Sequence, residues 1–156
     1  MNNGYASTFN NIGSYIKSGA GVTTVGTVFN NTGTLQIGAG STVKLAGGGA
    51  LGANVIVGSG ATLNLAAGTF SMPAMAGGTS SGTLQVSGAT VNTSGASTFG
   101  GTLNLTNGTF TVGGTFAAPA LNMSGGTMQG TGSVTFASPS AYFSDRGRPF
   151  QSDRGR

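Results

Sequence analysis

The sequence of 156 residues predicts an all-β protein, a parallel β-solenoid (β-helix) of about six coils of roughly 20 residues each, with no helices. Three observations lead to this fold class. A segment near the N-terminus is repeated further along the chain, a short unit of alternating polar and apolar residues recurs, and glycine flanks nearly every copy of that unit.

The opening coil is duplicated. Phe9–Gly13 (FNNIG) returns as Phe29–Gly33 (FNNTG). Repetition at a period of about 20 residues is typical of solenoids, in which equivalent residues of successive coils stack about 4.8 Å apart. We therefore predict a repeat domain over residues 9–136, preceded by an N-terminal lead-in over residues 1–8.

The repeated four-residue unit predicts half-buried strands. In Thr34–Ile37 (TLQI), an extended backbone turns Leu35 and Ile37 to one side and the polar residues to the other. The clearest units begin at Thr34, Thr42, Asn54, Thr62, Thr83, Thr90, Thr102 and Thr109. Their starts pair as 34/42, 54/62, 83/90 and 102/109, which predicts two main strands in each coil.

The spacing between pairs is irregular at one place. The step from residue 54 to residue 83 contains an extra unit, Thr69–Met72, and the irregular stretch Pro73–Ser81, and predicts an enlarged coil or a loop insertion. Weaker copies over 121–123, 127–129 and 133–136 complete the six coils. An antiparallel meander is the alternative, but a meander gives no reason for sequence to recur at every second strand.

Stacking of equivalent coils predicts polar ladders on the outside of the solenoid, because like side chains then lie above one another. The candidate surface consists of outward threonine and asparagine residues, namely Thr34, Thr42, Thr62, Thr83, Thr90, Thr102, Thr109, Asn64, Asn92 and Asn104.

The composition leaves little chemistry for catalysis. Cysteine and histidine are absent, and Asp145 and Asp153 are the only carboxylate side chains. General acid-base catalysis and metal ligation both depend on these residue types. We expect no enzyme activity, no catalytic or cofactor-binding residues, and no cofactor or metal.

Charge is concentrated in the last residues. Four of the six basic residues lie between Arg146 and Arg156, after the repeat pattern has stopped at Phe136. We predict a basic, flexible tail over residues 137–156, in which residues 140–156 add no coil while Phe143 and Phe150 contact the last one. Because the repeat domain itself is nearly uncharged, no nucleic-acid partner is expected.

The sequence shows no transmembrane segment, since no run of 18 apolar residues occurs, and no signal peptide is visible in it.

Residues 29–35 (FNNTGTL), 58–65 (GSGATLNL) and 101–112 (GTLNLTNGTFTV) resemble the repeats of large bacterial surface and secreted β-solenoid proteins of the autotransporter and filamentous haemagglutinin kind. The resemblance covers about residues 5–136. It implies an extracellular or cell-surface location, a structural or adhesive function, and cell-surface or matrix ligands as partners.

Two functional hypotheses follow. The first is a non-catalytic structural or adhesive segment that stacks end to end on other copies into fibres, because no charged or proline-rich cap is evident near residue 9. The alternative is an ice-binding protein that uses a threonine and asparagine ladder on a flat face. The residue two positions after each threonine varies, as in Lys44, Asn64 and Gln85, which disfavours the alternative.

Overall fold

The computed structural model describes residues 7–137 and 142–143. All regular structure in this part of the chain is β-strand, and every strand pairing is parallel. The strands stack as a β-solenoid of six complete coils and a partial seventh, which confirms the predicted fold class. The described residues contain no helix, and hence none that could cross a membrane.

Each coil has three strands, which form three faces of the rod. Face 1 contains β1 (Thr8–Asn11), β4 (Val28–Asn31), β7 (Gly49–Leu51), β10 (Thr69–Met72), the second halves of β12 (Thr83–Thr93) and β14 (Thr102–Val112), and β17 (Thr127–Gly130). Face 2 contains β2 (Ser14–Lys17), β5 (Thr34–Ile37), β8 (Ala53–Val57), β11 (Met75–Gly77), β13 (Ala96–Phe99), β15 (Thr115–Ala118) and β18 (Ser133–Phe136). Face 3 contains β3 (Gly21–Val25), β6 (Ser41–Leu45), β9 (Thr62–Leu65), the first halves of β12 and β14, β16 (Ala120–Met123) and β19 (Tyr142–Phe143).

The region predicted as an enlarged coil or insertion is a regular coil, so that prediction is wrong. β10 pairs with β7 on one side and with β12 on the other, and β11 pairs with β8 and β13. The long step arises because the pairs 34/42 and 54/62 occupy faces 2 and 3, whereas 83/90 and 102/109 occupy faces 3 and 1. The prediction of two main strands in each coil is wrong for the same reason.

The core is built from inward columns of apolar side chains, because strand alternation turns every second residue inward. On face 1, Phe29, Phe70 and Phe110 belong to one column and are fully buried. Phe110 also meets Phe116 of face 2 edge to face, with ring centroids 5.0 Å apart. One coil alone cannot bury its inner side chains, so neighbouring coils stabilise one another.

Some positions at the corner between faces 1 and 2 require glycine because the backbones of successive coils come very close there. A Cβ atom on Gly33 would overlap the carbonyl oxygen of Gly13, and one on Gly114 would overlap that of Gly95. The close approach serves hydrogen bonding between coils, since the Thr34 amide donates to the Gly13 oxygen at 2.7 Å.

The structure extends the strand ladder by two residues into the predicted tail. Tyr142 pairs with Asn122 and Phe143 with Met123. Residues 142–143 therefore add a two-residue strand, shorter than a coil, at the free edge of β16, and the pairing of Phe143 agrees with the expectation that this residue reaches the repeat domain. The rest of the tail, including Phe150, and most of the lead-in lie outside the described residues.

Candidate functional site: outward polar columns

Four of the predicted threonines form a continuous column on face 3. Thr42, Thr62, Thr83 and Thr102 are partners in successive strand pairs, and all four are half-buried. Each member is separated from the next by one coil of the solenoid, so the column runs along the rod axis. We call these four residues the face-3 threonine column.

A second column on face 3 lies two residues further along each strand and is rich in amides. Its members Lys44, Asn64, Gln85, Asn104 and Asn122 also pair in register. The hydroxyl of Ser87 donates to the Oδ1 atom of Asn64 at 2.7 Å, so at least one of these amides is held in place by a neighbouring coil. We call this set the amide column.

Face 1 carries a second threonine column, which the sequence prediction captured only in part. Thr90 and Thr109 were in the predicted set, and the structure places Thr69 before them and Thr127 after them. Asn92 belongs to the adjacent outward position. Thr69 and Thr127 begin units of the same alternating pattern, so the sequence itself carried the signal for both residues. Their column becomes visible only when each coil is given three strands.

The remaining predicted residue, Thr34, lies apart from both columns. It is on face 2, where it pairs with Ser14 of the preceding coil and Asn54 of the following coil. The ten predicted residues therefore occupy three faces and do not form one surface. Faces 1 and 3 are nevertheless adjacent, because β12 and β14 run around the corner between them.

A buried amide ladder, which the sequence analysis did not identify, stabilises the first coils. Asn11 donates from Nδ2 to Oδ1 of Asn31 at 2.6 Å and to the carbonyl oxygen of Thr34 at 2.8 Å. Asn31 in turn donates to the carbonyl oxygen of Gly52 at 2.9 Å. Both side chains are buried and bonded, which points to a structural role. The repeated FNN segment was its sequence signal.

Apart from Lys44 in the amide column, the outward columns offer only neutral hydrogen-bonding groups. Between residues 7 and 137 the only charged side chains are Lys17 and Lys44. The described part of the chain contains no group of three or more histidine, cysteine or acidic residues that could hold a metal ion. Hydroxyl and amide groups repeated about every 4.8 Å can donate to and accept from an extended surface.

One open groove lies at the corner between faces 2 and 3, near the C-terminal coils, and has a volume of about 230 Å³. Its lining is small and largely apolar, and consists of Gly78, Thr98, Phe99, Gly100, Ala117, Ala118, Pro119, Thr135 and Ala137. Among the described residues that line it, none has a titratable side chain, so this part of the lining offers no group for acid-base chemistry.

Comparison with protein-family models, with curated proteins and with solved structures gives no match for this chain. The resemblance to autotransporter and haemagglutinin repeats therefore stays a prediction from the sequence.

Proposed function

We propose that this chain is a non-catalytic structural or adhesive rod of the cell surface or extracellular space, which presents largely neutral polar columns along its sides and stacks on other copies at its ends. The observation that carries the proposal is the continuity of the columns. The face-3 threonine column and the amide column keep their register over several coils, whereas a site for a small ligand needs polar groups that converge in a concave pocket.

The ends of the rod support stacking. In the part of the chain that the structure describes, β1, β2 and β3 each pair on one side only, and so do β17 and β18. Such edges are templates for further strands. The first coil also leaves Phe9 exposed at 42 %, although its in-register partner Phe29 is fully buried, so an inward aromatic side chain is uncovered at this end. A stacked coil would cover part of this apolar surface.

Adhesion is tested by a solid-phase binding assay against a panel of matrix glycoproteins and surface polysaccharides. The matched variant replaces Asn64 and Asn104 by alanine and removes two amides from the amide column without touching the core. We expect the parent protein to bind at least one ligand of the panel and the variant to bind it less. Equal binding by both proteins would exclude the amide column as the adhesive surface.

Stacking is tested by sedimentation velocity over a concentration series and by electron microscopy. We expect larger species that grow with concentration, and rods longer than the roughly 30 Å of one molecule. Protein that stays monomeric at high concentration, with no fibres in the micrographs, contradicts the stacking part of the proposal.

A second candidate function is ice binding, which the two threonine columns favour. Methyl and hydroxyl groups repeated at the strand spacing on a flat face could hold water in an ordered layer. The adjacent amide column is irregular, with lysine, asparagine and glutamine at successive levels. This irregularity makes ice binding the weaker of the two proposals.

The ice-binding candidate is tested by thermal hysteresis and by ice recrystallisation at millimolar protein. Replacing Thr62 and Thr83 by lysine disrupts the face-3 threonine column, and replacing Thr90 and Thr109 by lysine disrupts the face-1 column as the matched control. If face 3 binds ice, only the first pair abolishes activity. A parent protein without activity in both assays contradicts this candidate.

A further inference from the structure

The first coil carries a charge at an inward position. Lys17 pairs with Ile37, which pairs with Val57, and both of these partners are almost fully buried. Since in-register partners in a parallel sheet turn their side chains the same way, the stem of Lys17 points toward the core of the rod.

The ammonium group is bound by the backbone of its own coil. Its Nζ atom donates to the carbonyl oxygen of Ser18 at 2.9 Å and to that of Gly19 at 2.7 Å. Lys17 is half-buried, so its charge still reaches solvent at the end of the rod. No carboxylate side chain occurs between residues 7 and 137 that could neutralise it.

We propose that Lys17 restricts stacking of a second copy on the first coil. This inference rests on the proposed end-to-end stacking and names its regulation. A coil placed on β2 would pack its inner residues against the stem of Lys17 and take water away from the ammonium at the carbonyl oxygens of Ser18 and Gly19. Taking an unpaired charge out of water opposes binding more strongly than the two carbonyl contacts favour it.

The position of Lys17 fits a known way of protecting sheet edges. Inward-pointing charges at an exposed edge discourage pairing with other chains. Lys44 provides the contrast, because it lies on the outside of face 3, is exposed, and would keep its hydration in a stacked assembly. The two lysines therefore carry the same charge but are predicted to affect stacking very differently.

The test compares Lys17→Ile with Lys44→Ile, which lower the net charge equally. We expect Lys17→Ile to assemble at a concentration about tenfold or more below that of the parent protein, since a buried charge opposes association strongly. Lys44→Ile and the charge-conserving Lys17→Arg should assemble like the parent. Sedimentation velocity gives the onset concentration, and electron microscopy shows whether the species are rods.

The outcomes separate this inference from the proposed function. If the parent protein assembles and Lys17→Ile assembles no better, the role of Lys17 is refuted while stacking stands. An equal gain in Lys44→Ile would also refute it, because net charge alone would then explain the effect. If Lys17→Ile stays monomeric at high concentration, as the parent does, end-to-end stacking itself fails.

Circular dichroism verifies that each variant is folded. If Lys17→Ile does not fold, Lys17→Met, which keeps an unbranched side chain, takes its place in the comparison.

Discussion

Individual residues in this protein are constrained chiefly by the residue one coil away. Gly33 is glycine because the carbonyl oxygen of Gly13 occupies the space of a Cβ atom, and Asn31 is satisfied by groups on the coils before and after it. Thr93 differs, since its hydroxyl is buried and has no hydrogen-bond partner among the described residues. Whether a residue type suits a position therefore depends on the residues at the adjacent levels of the stack.

Replacing Gly33 by alanine should lower the free energy of unfolding by about 3 kcal/mol, because the new methyl group overlaps rigid backbone. Gly13→Ala is the matched control. It lies at the same corner of the first coil, where a Cβ atom would meet nothing within 4 Å, and should change stability by no more than about 0.5 kcal/mol. Urea denaturation measures both. Similar losses in the two variants would show that close approach is not the cause.

Thr93→Val should raise the free energy of unfolding by about 1 kcal/mol, because it removes an unsatisfied buried hydroxyl at nearly constant shape. The partners of Thr93 in the adjacent coils are Met72 and Val112, which offer an apolar environment. Thr90→Val, on the exposed side of the same strand, is the control and should give no gain. Destabilisation by Thr93→Val would indicate a hydrogen bond to bound water.

At the scale of strands, the sequence predicted the type of element better than the path of the chain. The alternating units are strands, and units of successive coils stack in register with the expected period. The third strand of each coil was missed because strands such as Gly49–Leu51 and Met75–Gly77 are short and contain glycine or alanine where other units have threonine or leucine. These strands form because neighbouring coils pair with them on both sides, a tertiary effect that local sequence does not reveal.

The predicted polar surface was limited by the same effect. Thr42, Thr62, Thr83 and Thr102 were chosen from their units and do lie in one column, whereas Thr34 begins an equally good unit and lies on another face. The assignment of a unit to a face depends on the number of strands in a coil. Without that number, spacing alone could not separate the columns.

Deleting residues 102–119 should remove one coil and preserve the fold, because Ala120 then takes the place of Thr102, its partner in the sheet. Deleting residues 69–81, the stretch that spacing marked as an insertion, should abolish cooperative unfolding since it removes two paired strands from one coil. Circular dichroism and thermal melting distinguish the two variants. A stable protein after the second deletion would restore the insertion interpretation.

At the scale of the whole molecule, the rod consists of similar layers, and each layer contacts only its neighbours. The free energy of unfolding of such a molecule is close to a sum of terms for the layers and for the interfaces between them. Removing residues at an end should therefore change it only a little. The C-terminal end is one place to test this, because β19 contributes only two paired residues to the ladder.

Ending the chain after Phe143 should leave the circular dichroism spectrum and the melting temperature nearly unchanged, because this truncation keeps every described strand. Ending it after Pro139 removes β19 as well and should lower stability by about 1 kcal/mol, in line with the loss of one or two backbone hydrogen bonds. Loss of cooperative melting in the protein that ends after Phe143 would show that residues 144–156 belong to the folded unit.

The parallel stacking of coils also determines how the rod would respond to mechanical force. Hydrogen bonds between strands run from one coil to the next, so tension along the rod axis loads them directly and opens the coils one after another. A coil of about 20 residues contributes roughly 4.8 Å to the folded length and about 70 Å once extended. The molecule would therefore lengthen in separate steps under load, each step releasing one coil while the remaining coils keep their columns.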